Sequence, residues 1–171
     1  MIKRFVAAVL AGVCMSFAAA QTDELRDIQR LIAGGDYNAA LQRLDAAGKR
    51  RDSDARLAFL RGVVLMDLKR DDEAMAAFVA MTQQYPQLPE PYNNVAALHA
   101  KAGRWEPARV ALEAALRNDP SHLLARENLG DVYLQLAIQS WRSAQSPSHA
   151  GAGLQRKIRL ASELAGSAAS Q

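Results

Sequence analysis

Catalysis or metal binding needs titratable groups brought together, and this chain offers few. It has three histidines, His99, His122 and His149, and one cysteine, Cys14. None of the histidines has a His or Cys three or four residues away, the spacing that puts two metal ligands on one face of a helix. The acidic run Asp71-Asp72-Glu73 could offer oxygens to a hard cation. It opens a segment of periodic apolar residues, however, where carboxylates meet the positive end of a helix dipole, and no further ligands accompany it. No phosphate-cradling G-x-x-x-x-G-K-[ST] or G-x-G-x-x-G occurs, and no H-E-x-x-H or G-x-S-x-G. The basic run Lys49-Arg50-Arg51 is followed by Asp52 and Asp54, which offset its field and make a phosphate-tracking surface a poor reading. The expectation is a protein that is not an enzyme, takes no cofactor or metal and binds no nucleic acid.

The elements that would position any site are helices. Of 171 residues, half are hydrophobic and only 6% aromatic, so the apolar content rests on Ala, Leu, Val and Met. These suit helix interfaces better than sheets. With 23% charged residues the composition is that of a folded domain, not of a disordered chain.

The N-terminus reads as an address. Met1-Ile2-Lys3-Arg4 is followed by an uncharged run from Phe5 to Phe17 and then by Ala18-Ala19-Ala20. This is the order of a secretory signal peptide, 1–20, with cleavage after Ala20. The run is short for a membrane span of about 20 residues, so a retained anchor is the weaker reading. Lipidation at Cys14 fits poorly, because Val13 precedes it and apolar sequence continues beyond. Cleavage leaves 171 − 20 = 151 residues without cysteine, and 21 − 2 = 19 basic against 18 acidic groups. A periplasmic location is expected, without membrane contact once the signal is removed.

The remainder repeats. Units 21–54, 55–88, 89–122 and 123–156, each of 34 residues, align without a gap. Gly62, Ala96 and Gly130 share a column, as do Ala40, Ala74 and Ala108, and then Leu44, Phe78 and Leu112. Pro86 and Pro120 close two units. Small columns let two helix backbones approach, and the bulky column fills the space beside the crossing. Gly34-Gly35 and Gly103 fall where a helix C-terminus needs positive φ. His99 shares a column with Leu31, Leu65 and Tyr133, which reads as a packed helix interface. Unit one departs at Ile28 and Asp52. In unit four no turn interrupts Leu129, Val132, Tyr133, Leu136 and Trp141, so that helix is expected to continue to about Ser143. A loop over 145–153 and an amphipathic helix from about 154 follow, with Leu154, Ile158, Ala161 and Leu164 on its apolar side. This last helix would cover the final open face of the stack, with a frayed tail over 166–171.

These columns resemble the tetratricopeptide repeat, a helix-turn-helix of 34 residues. The resemblance covers 21–156, most closely 55–133. It implies an all-α, right-handed superhelical solenoid with a C-terminal capping helix, and a protein–protein interaction module: an adaptor, scaffold or chaperone-like factor of the bacterial envelope. First helices line the concave face in this family. The partner-binding candidates are Arg56, Phe59, Val63, Met66 and Asp67 in unit two, Asn93, Ala97 and Lys101 in unit three, and Glu127, Asp131 and Gln135 in unit four. A groove apolar at one end and acidic at the other would take a basic or neutral segment or helix of another protein. The Lys, Asn and Arg set with which some members clamp a terminal carboxylate is absent apart from Asn93. The second expectation is a structural role through self-association into a homo-oligomer.

Overall fold

The computed structural model describes residues 23–50, 54–145 and 151–168, and these contain helices and no strand. The signal-peptide reading of 1–20 lies outside them, as does most of the expected 145–153 loop. The helices are α1 (residues 23–33), α2 (Tyr37–Gly48), α3 (Ala55–Asp67), α4 (Asp71–Gln84), α5 (Pro89–Lys101), α6 (Trp105–Asn118), α7 (Leu123–Ser143) and α8 (Ala152–Ala168). All-α architecture follows the sequence, and α7 ends at the expected residue.

Three of the turns share one chemistry. Gly35, Lys69 and Gly103 all have left-handed backbone, with φ of 77°, 60° and 69°. In each turn this residue donates its N–H three residues back, to Ile32, Met66 and Ala100. The next residue, Asp36, Arg70 or Arg104, donates five back, to Leu31, Leu65 and His99. This paired closure satisfies carbonyls that a helix end would otherwise leave unbonded. The positions are 34 apart, so the repeat is written in the backbone as well as in the side chains. Entries to helices are capped by side chains where the sequence allows. Asp36 accepts from the Ala39 N–H, Asp54 from Arg56 and His122 Nδ1 from Ala125. Pro89 sits at the start of α5, where its missing N–H costs little.

The chain divides into two compact units, one ending at Ala74 and one beginning at Met75, so that α4 contains the division. In the first unit α2 packs on α3, and Ile28, Ala40, Leu44, Val64, Leu65 and Ala74 are sealed from solvent. Arg61 Nε donates to Asp45 at 2.7 Å between α3 and α2.

In the second unit α5 packs on α6, α6 on α7 and α7 on α8. The columns do there what their sizes suggest. Ala108 is fully buried, Ala96 and Leu112 nearly so, and Phe78 is fully enclosed. Side chains of the size of Phe78 and Leu112 contribute about 1.5–3 kcal/mol each on burial. Tyr92 Oη donates to the Thr82 and Pro86 carbonyls, and Asn118 Nδ2 donates to Pro86 at 2.7 Å, which pins the α4–α5 turn to the end of α6.

The fourth unit breaks the pattern. With 21 residues α7 far exceeds the 13 of α5 and the 14 of α6, and it takes the place of a helix, a turn and part of a second helix. Then α8 runs back along α7: Arg142 reaches Ser162 at 3.5 Å, and Ala165 lies beside the 131–135 stretch. Ile138 and Ala161 are buried. The side of α8 turned to α7 differs from the expected one at its end, because Leu164 is 60% exposed and Ala165 lies nearer the contact. Tyr133, expected at a packed interface, is 48% exposed, and its hydroxyl donates to Glu113, which also pairs with Arg109. Leu65, in the same repeat column, is fully buried.

Candidate functional site

On α3, in the first unit, Arg56, Phe59, Val63, Met66 and Asp67 recur at spacings of three and four, which places them on one side of the helix. Phe59, Val63 and Met66 are half-buried and form an apolar strip, with Arg56 and Asp67 exposed at its ends. Arg56 lies 3.6 Å from its neighbour Asp54.

In the second unit, α5 and α7 enclose a cavity of about 310 Å³. Its floor is Ala96, Ala97 and Ala100 from α5, Leu112 from α6, and Val132 and Leu134 from α7. Short alanine side chains on α5 leave the space, which is why a helix face so poor in bulky residues can form a hollow. Asn128, Asp131 and Gln135 supply its polar groups, Trp105 one wall and Ala165 of α8 another. Asp131 is the one ionisable group in this lining, and it is exposed.

A second hollow of about 440 Å³ shares Trp105 and Gln135 with the first and continues past Gly103 along Ile138, Gln139, Arg142 and Ser143. Together they follow one side of α7 from Asn128 to Ser143. A carboxylate stands near the beginning, an indole in the middle and a guanidinium at the far end. Such a groove suits a segment with an apolar side chain against Trp105 and the alanines, and a cation toward Asp131.

Of the residues expected in this unit, Ala97, Asp131 and Gln135 come together at the cavity. Lys101 and Glu127 are exposed on the same two helices without lining it. Asn93 is only 6% exposed, and its Oδ1 accepts from Asn128 Nδ2 at 2.9 Å. It therefore holds Asn128 in place between α5 and α7 instead of facing a partner. Asn128, Trp105 and Arg142 are the contributors that sequence reasoning missed. Asn128 carried a signal, since it lies one turn before Asp131 and two before Gln135 on one helix side.

His99, in the last turn of α5, has its Nδ1 buried without a hydrogen-bond partner. Burial, and then the nearby charge of Arg104, lowers its pKa below the ordinary imidazole value. Among the described residues no three His, Cys, Asp or Glu side chains are grouped to hold a metal ion, and no helix is long and apolar enough to cross a membrane.

Chains of known structure share this arrangement of helices. The Yersinia enterocolitica type III secretion chaperone SycD, in complex with a peptide of the translocator YopD, superposes with a TM-score of 0.63 at 14% identity, over 68% of this chain and 94% of that one. The first tetratricopeptide domain of Spaghetti (RPAP3), bound to the HSP90 peptide SRMEEVD, gives 0.61 at 17% identity, over 66% and 89%. YrrB, described as having an unusual peptide-binding site, gives 0.55 at 27% identity, over 58% of this chain and 52% of that one. No curated protein sequence matches significantly. A profile of the tetratricopeptide repeat matches residues 26–89 and 96–137, more than half of the chain. With the left-handed turns recurring every 34 residues and the buried column of Ala40, Ala74 and Ala108, this establishes that the chain belongs to the tetratricopeptide repeat family.

Proposed function

We propose that the protein is a non-catalytic adaptor or chaperone-like factor that holds a segment of another protein along α7. The observation that carries this reading is the alanine-floored cavity with Asp131 at its rim and Trp105 at its wall. An apolar side chain of the partner enters against Trp105, and a Lys or Arg beside it meets Asp131. The peptide complexes of the structural relatives support the mode of binding. The apolar strip of Phe59, Val63 and Met66 on α3 offers the first unit a contact of the same kind.

The N-terminal sequence supports export, which would place this activity in the bacterial envelope. Mass analysis of the protein recovered from its host tests that part directly. A chain beginning at Gln21 is expected, and one retaining Met1 would overturn export with cleavage.

The binding test is crosslinking in envelope extract, followed by titration of the recovered partner segment. Trp105→Ala removes an aromatic anchor of the kind whose loss typically costs about 2 kcal/mol or more. Asp131→Lys slows association with a basic segment in a salt-dependent way. Unchanged affinity in both variants refutes the α7 groove as the binding surface.

A further inference from the structure

The long α7 leaves part of the stack open. In α5, Ala96 is 1% exposed where α6 packs on that helix, and Gly130 occupies the same repeat column in α7. Yet Gly130 is exposed, and a Cβ built on it would meet no heavy atom within 4 Å. Leu123 and Glu127 stand on the same side of α7, seven and three residues earlier, and Leu123 is 79% exposed. Farther along this side come Leu134, which is half-buried, and Ile138, which is buried. α8 therefore covers the second half of α7 and leaves the first half, with its glycine notch, uncovered.

The outer side of α8 has the opposite charge and a matching apolar ridge. Leu160 and Leu164 are 52% and 60% exposed, one turn apart. Arg156 and Lys157 precede Leu160 by one turn and are exposed. Arg159 is satisfied by Glu163 at 4.0 Å, but Arg156, Lys157 and, on α7, Glu127 form no ion pair with any described residue. A notch flanked by leucine and a carboxylate thus faces solvent on the same chain as a helix carrying exposed leucines and exposed cations.

We propose that the open half of α7 takes α8 of a second copy of this chain, in a two-fold dimer. Leu160 and Leu164 of each protomer lie over Leu123 and Gly130 of the other, and Lys157 meets Glu127. A two-fold axis makes every contact occur twice, so one modest apolar patch and one charge pair are doubled. The glycine fits this role, since its missing side chain lets the incoming helix approach closely.

Sedimentation equilibrium of the full chain tests the proposal. The expected result is a mass rising with concentration to that of two chains, with weaker association at high salt. Glu127→Lys and Lys157→Glu each set like charges against each other at both contacts and weaken the dimer by about tenfold or more. Mixing the two variants restores it, because in the mixed dimer one contact pairs the two introduced charges, which are opposite, and the other keeps the original Glu127 and Lys157. Leu160→Asp gives monomers. All these positions are exposed, so far-ultraviolet circular dichroism should remain that of the parent. None lines the α7 groove, so peptide binding is scored separately and can stand or fall alone. A single-chain mass at every concentration overturns the proposal and leaves the notch to a helix of some other protein. Single charge variants that associate as tightly as the parent, or a mixture without recovery, overturn it equally.

Discussion

Replacing Gly103 by alanine isolates the contribution of the left-handed turn. The residue sits at φ +69°, and an added Cβ meets no heavy atom within 4 Å, so the substitution creates no clash and tests backbone conformation alone. An L-residue held in this region costs about 1–2 kcal/mol. Alanine also restricts the unfolded chain, which returns about 0.4–1 kcal/mol. The net expectation is a loss of about 1 kcal/mol, or about 2–4 °C in melting temperature for a chain of this size. Lys69 supplies the reverse experiment, because it holds φ 60° with an exposed side chain at the same repeat position. Lys69→Gly relieves the strain, loses the cation near a helix C-terminus and loosens the unfolded chain, leaving a gain of about 0.5 kcal/mol. Urea denaturation of the parent, both single variants and the double variant measures these differences. A neutral Gly103→Ala, or a destabilising Lys69→Gly, would refute the account of how these hairpins close.

Ala108→Leu adds volume at a fully buried position of α6 and should destabilise by about 1–3 kcal/mol in denaturant, with partner affinity lost only as the fold is lost. Because burial lowers the pKa of His99, the unfolded chain takes up that proton more readily than the folded one; stability should fall as pH drops below the ordinary imidazole value of about 6.5. His99→Gln should flatten that slope in a series of urea midpoints between about pH 7 and 5, and an unchanged slope would assign it to other groups. Removing residues 154–171 uncovers Ile138 and should lower the melting temperature and solubility, and an unaltered melt would show that α8 covers nothing that matters.

The helical repeat was readable because its signal is steric. Glycine and alanine recur where backbones cross, and a 34-residue helical repeat accounts for Ala40, Ala74 and Ala108 being small together. The end of α7 was readable for the complementary reason, an apolar periodicity that no turn residue interrupts. Side-chain direction was less accessible. Asn93 lies one turn before Ala96 and Ala97 on α5, and position along a helix fixes direction too coarsely to decide whether a side chain there faces the hollow or pairs with α7 behind it. Its amide is buried because Asn128 comes within 2.9 Å to satisfy it, a pairing across 35 residues that local pattern does not carry. On α8 hydrophobicity favoured Leu164 as the inward residue, whereas the close approach to α7 selects the smaller Ala165. Lys69 gave no sign of its left-handed backbone, since the residue type that announces such a turn elsewhere is absent there.

The missing turn in unit four explains both unusual surfaces of the second unit. The left-handed residues fall at 35, 69 and 103, and thirty-four positions on the chain has Ala137, a strong helix former, inside α7. The residue after each turn, at 36, 70 and 104, stands immediately before the next helix, and Asp36 caps it with its side chain, but at 138 stands Ile138, which is 3% exposed. A turn here would lift that side chain out of the core, so burial and propensity agree in carrying the helix onward. The continuation takes Gln139, Arg142 and Ser143 past Gly103 and so builds the far half of the groove. It also forgoes the second helix that would have covered Gly130, leaving the notch open. One alanine and one isoleucine in place of a turn and the start of a new helix thus extend the binding groove along the second half of α7 and leave the docking face open on its first half.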